Sequence, residues 1–107
     1  MSWPNDADGD VFRRLEGHAF DFSITHSIDF NVDFEVWPPP EDAITWLKRQ
    51  YGQVGIHEPE ESFGGYVDFQ IEAKLTYELV MFTQTEVSAA MAKHQGICES
   101  WGVAQQP

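Results

Sequence analysis

Carboxylates and amides two residues apart are the groups of this chain best placed to do chemistry: Asp29, Asn31, Asp33 and Glu35 in one stretch, Asp68, Gln70 and Glu72 in another. Such groups can hold a cation, pair with a basic polypeptide, or divide into a general acid and a general base where one of them is enclosed. The residues between them decide which. Ile28, Phe30, Val32, Phe34 and Val36 alternate with the first set, and Val67, Phe69, Ile71, Ala73 and Leu75 with the second. Strict alternation marks a strand with one buried side, so each segment buries its apolar residues and shows its polar ones to water. An open strand face is flat and wet, and it lacks the enclosure that drives two pKa values apart. The pattern predicts a surface that binds, with these seven polar residues as its contacts. The alternative is an enzyme built on Asp33, Asp68 and a histidine such as His57, motivated only by the clustering of carboxylates.

Other motifs carry less. Asn5-Asp6-Ala7-Asp8-Gly9-Asp10 opens like an EF-hand loop, but counted from Asp6 the positions that need Gly and Glu hold Val11 and Gly17. Capping of the helix that follows is the use left for Asp8 or Asp10. His18, His26, His57 and His94 are dispersed without metal-ligand spacing and read as surface or loop residues. Cys98 has no basic neighbour to activate its thiol and reads as a small core residue. Trp101, followed by Gly102, either packs over a sheet edge or stands as an exposed aromatic anchor, and on the second reading it joins the partner-binding set. No metal or cofactor is implied.

Composition narrows the partner. Eighteen Asp and Glu against six Lys and Arg give a formal net charge of -12 over 107 residues, which repels nucleic-acid phosphates and anionic membranes and favours basic proteins or cations. The strand positions that carry exposed aromatics in RNA-binding sheets hold carboxylates and amides here, so direct RNA binding is not expected. A chain of this length, with 8 Phe and 4 Trp, forms one domain spanning 1–107 around one core. The lone Cys98 suits a reducing cytoplasm, no apolar run approaches a membrane span, and Met-Ser-Trp-Pro-Asn-Asp has none of the marks of a signal peptide. A cytoplasmic location is expected.

The elements that must position the acidic strands follow from local patterns. Residues 1–9 read as a flexible or loop-like start, and Val11 to Glu16 as a short helix stopped by Gly17. The first acidic strand covers 28–36 and ends at Trp37-Pro38-Pro39-Pro40. A helix then runs to Tyr51, with Glu41 and Asp42 at its positive end, Lys48 and Arg49 at its negative end, Ala43, Ile44, Leu47 and Tyr51 as its buried stripe and Gly52 as its stop. A short strand at 53–58, a loop through Pro59 to Gly65 and the second acidic strand at 66–75 follow. Thr76 caps a helix of roughly 77 to 95 with Val80, Thr83, Val87, Ala90 and Met91 inward, and 97–103 is a last strand whose face pattern is not clean. Strand, helix, strand, strand, helix, strand with right-handed crossovers is the ferredoxin-like βαββαβ arrangement: an α+β sandwich with a four-stranded antiparallel sheet, two helices on one face and a short helix in front. The two acidic strands become central neighbours.

Asp8-Gly9-Asp10-Val11-Phe12-Arg13-Arg14-Leu15, then Ile28-Asp29-Phe30, Val32-Asp33-Phe34, Tyr66-Val67 and Glu99-Ser100-Trp101-Gly102, together resemble the regulator of ribonuclease E activity B family over about residues 8 to 103. The resemblance implies a ferredoxin-like domain of a cytoplasmic bacterial protein that binds ribonuclease E and inhibits it, without catalysis of its own. Joined to the charge pattern, it makes the expected partner a basic protein segment, with the ribonuclease E scaffold region as the candidate. A structural role by self-association would have to use a strand edge or Met81, Phe82 and Trp101, because the acidic faces repel each other, and a monomer is favoured.

Overall fold

The computed structural model describes residues 3–61 and 64–103. Its elements are α1 (Ala7–Gly17), β1 (Thr25–Phe34), α2 (Glu41–Tyr51), β2 (Val54–His57), β3 (Tyr66–Lys74), α3 (Tyr77–Met91) and β4 (Gly96–Val103), with a 3-10 turn at Ala92–His94 after α3. Ser62 and Phe63 of the expected loop and the tail from Ala104 lie outside the described residues.

Helix ends follow the chemistry of their flanks. Pro40, with φ -59°, leads into α2, whose acidic and basic turns oppose its dipole, and Gly52 takes the positive φ of 85° that a side chain would disfavour. Thr76 Oγ1 accepts from the Leu79 N–H at 3.1 Å to start α3. In α1 the expected cap moves. Asp6, not Asp8 or Asp10, accepts from the Gly9 N–H at 2.7 Å, so residues 7–9, read as loop, form the first turn. The acids at 8 and 10 then sit in that turn, where the dipole also favours them.

The strands form one antiparallel sheet in the order β2-β3-β1-β4, with the two acidic strands at its centre. β1 begins three residues earlier than its alternation predicts and ends at Phe34, two residues short of Val36. Ile28, Phe30, Val32, Val67 and Phe69 are fully or almost fully buried on one side. α2 and α3 cover that side: Tyr51 stacks on Phe69 at 4.0 Å and Phe69 on Phe30 at 5.5 Å, while Val80, Val87 and Met91 of α3 complete the core. α1 extends the layer, resting Phe12 against Trp101 of β4 at 5.4 Å. The untidy pattern of β4 has a cause. Between Asn31 and Val32 the register shifts, so that Ser100 opposes Asn31 and Cys98 opposes Val32 while Glu99 is the extra residue. This bulge reverses the alternation and puts both Cys98 and Trp101 on the buried side. Ser88 of α3 then closes on β4, its hydroxyl accepting from the Cys98 N–H at 2.9 Å and donating to the Cys98 carbonyl at 3.1 Å.

Candidate functional site on the open face of the sheet

Among the described residues no helix covers the other side of β1 and β3, and their register fixes what stands there. Asp29 opposes Gln70, Asn31 opposes Asp68, Asp33 opposes Tyr66, and Ser27 opposes Glu72. Asp29, Asn31, Asp33, Asp68, Gln70 and Glu72 thus share one surface, as their parity predicts. Glu35 does not join the ladder. It follows the end of β1, exposed, with its N–H held by the Gln95 carbonyl at 3.0 Å, because the strand yields to the bend before the proline run.

The like charges are separated by polar spacers. The Gln70 amide donates to Asp29 Oδ1 at 2.7 Å, and the Asn31 amide donates to Ser100 Oγ at 3.1 Å, so each acid on β1 or β3 has an amide or hydroxyl beside it or across from it. At the β2 end His57 Nε2 lies 2.9 Å from Asp68 Oδ2, and the imidazole stacks on the Tyr66 ring at 4.5 Å with 15° between planes. Gly55 opposes Asp68. A Cβ at Gly55 would collide with Asp68 Oδ1, so the carboxylate lies directly over the glycine. Beside it, Gln53, Asp68 and Gln70 surround a hollow of about 260 Å³.

Trp101 stands apart from these residues. Its side chain faces the helices, half-buried against Phe12, and its indole N–H donates to Asp8 Oδ1 at 2.9 Å. Packing, the first of its two sequence readings, is where the structure places it. Cys98 is buried, and burial, with Asp33 nearby, pushes its thiol up to about 12. One histidine departs from the surface reading: His26 is buried, stacked on Phe20 at 4.3 Å and bonded through Nε2 to the Asp21 carbonyl at 2.7 Å. His57 keeps to it, on the open face. The face has the groups named for an acid-base site, yet the His57 and Asp68 side chains remain 42% and 34% exposed. Among the described residues no group of three or more His, Cys, Asp or Glu could hold a metal ion.

Over residues 5–103 the sequence matches the family described as regulator of ribonuclease activity B. The chain belongs to that family. A comparison with curated proteins finds no match. Within this regulator of ribonuclease activity, His57, Tyr66, Gly55 and Ser100 are face residues that the charge pattern does not single out. A signal for three of them exists: Tyr66 has the parity of Asp68 and Gln70, which puts it on the polar side of its strand. In Gln53-Val54-Gly55-Ile56-His57 the apolar residues alternate, which places Gly55 and His57 on one side once the strand is recognised. Ser100 has no such signal, because the bulge at Glu99 alone brings it to the open side.

Proposed function

We propose that this regulator of ribonuclease activity is a non-catalytic cytoplasmic monomer that binds a basic segment of a ribonuclease E scaffold through the open face of its sheet. The observation that carries the reading is the uncovered pair of central strands, where Asp29, Asp33, Asp68 and Glu72 stand on one surface with Asn31 and Gln70 between them. A basic chain laid across such a face relieves like-charge crowding and gains several modest attractions at once. No cofactor takes part. Electrostatic steering by a net charge of -12 speeds encounter with a cationic partner and opposes direct contact with RNA.

Exposed pairs are screened beyond about 8 Å at physiological ionic strength, so binding of this kind weakens as salt rises. Calorimetric titration of the protein with the basic scaffold region of the host's ribonuclease E measures this. Binding at low salt that falls steadily with added salt is the expected result. No heat of binding at low salt would remove ribonuclease E as the target.

A further inference from the structure

Resting on the reading that the open face takes a basic segment, we propose that the hollow over Gly55 seats one lysine side chain of that segment. The hollow is lined by Gln53, Val54 and Gly55 from one side and by Asp68, Phe69 and Gln70 from the other. Of the Asp68 oxygens, Oδ2 is engaged by His57 at 2.9 Å and Oδ1 overhangs the glycine. The Gln70 amide nitrogen donates to Asp29 Oδ1 at 2.7 Å. A carboxylate only accepts, so this bond sets the amide's orientation and leaves Gln70 Oε1 as an acceptor. Gln53 is exposed, and its side chain makes no hydrogen bond among the described residues. Its carbonyl is the third acceptor. A compact ammonium brings three N–H donors to three separate oxygens, whereas a guanidinium is a planar fork matched to both oxygens of one carboxylate. With His57 already on Oδ2, a fork across both oxygens would have to share Oδ2 with the imidazole, whereas an ammonium needs Oδ1 alone, and the hollow favours lysine over arginine. Glycine at 55 is what lets the carboxylate lie there.

The hollow is separable from general attraction because Gly55→Ala changes no charge. The added methyl must push the Asp68 carboxylate away from its place over β2. Gln53→Met removes one acceptor at an exposed position and guards against a folding defect in the glycine variant. The probe is a short peptide of alternating lysine and serine, titrated at low salt beside its arginine and acetyl-lysine counterparts, with circular dichroism to confirm folding. The lysine peptide should bind the unaltered protein and lose roughly tenfold in affinity with each variant, the size of one charge-assisted hydrogen bond. The arginine peptide should bind more weakly and lose less, and the acetylated peptide should not bind. Equal lysine-peptide affinity across the three folded proteins would overturn the hollow, as would an arginine peptide that binds at least as tightly or a lysine peptide that fails to bind at all. The sheet reading is judged separately. If Asp33→Asn with Asp68→Asn still weakens the ribonuclease E segment while Gly55→Ala does nothing, the face binds by distributed charge and the hollow has no special part.

Discussion

The two faces of the central strands use the same backbone and differ in every other respect. On the helical side Phe30, Val32, Val67 and Phe69 touch neighbours on all sides and have almost no exposed surface. One residue along, Asp29, Asn31, Asp68 and Gln70 are each held by a single side-chain hydrogen bond beyond the ladder itself. A strand's period of two therefore divides the chain into positions where a change is felt as lost packing and positions where it is felt as changed charge. The open face can therefore change its charge without touching the core.

This contrast is tested first where it should be largest. Phe30→Ala removes a fully buried ring from the Tyr51–Phe69–Phe30 stack, and should lower stability in urea unfolding by about 3–5 kcal/mol. Trp101→Ala comes next. The ring is half-buried and its N–H bond to Asp8 is lost with it, so the expected cost is about 2–3 kcal/mol. At a temperature where the variant is folded, its affinity for the basic segment should be unchanged, because Trp101 lies on the helical side. A large loss of affinity in a folded Trp101→Ala protein would move the site to β4.

How much of this division is legible in the sequence depends on regularity. β1 and β3 alternate without interruption, so their faces, their pairing and the shared surface of Asp29, Asn31, Asp33, Asp68, Gln70 and Glu72 can be read from residue type alone. Legibility fails where the backbone departs from period two. The bulge at Glu99 reverses the faces of β4, which hides the inward turn of Trp101 and the outward turn of Ser100. Glu35 keeps the right parity but falls after the strand has ended, since the prolines that follow draw the chain away from the ladder. The cap of α1, expected at Asp8 or Asp10, falls on Asp6 for another reason. Asp6, Asp8 and Asp10 all suit a helix start, and what separates them is long-range: Tyr77 donates to Asp6 Oδ2 at 2.6 Å, while Asp8 reaches Trp101 and the Gln84 amide.

That network gives a smaller effect, on the acid limb of stability. The Tyr77 hydroxyl and the Gly9 N–H hold the Asp6 carboxyl below its ordinary 3.8. A depressed folded-state value contributes stability that is present above the unfolded value and disappears as pH falls through the folded one. Asp6→Asn should accordingly make the melting temperature less dependent on pH below 3.8 than it is in the unaltered protein. Parallel acid limbs in the two proteins would mean that Asp6 gains nothing from its partners. Smallest of all should be the stability change from Asp33→Asn with Asp68→Asn. Asp33 is exposed and Asp68 has one partly exposed bond to His57, so the pair should shift stability within about 1 kcal/mol, upward if relief of like-charge repulsion outweighs that bond.

The affinity of that same double variant for the basic region of ribonuclease E, measured from low to high salt, decides whether the acidic face binds. The open-face account predicts weaker binding at low salt and a flatter salt dependence, with the fold and the melting temperature essentially as before. Affinity and salt slope identical to those of the unaltered protein would contradict it, and would leave the acidic face as solvated surface.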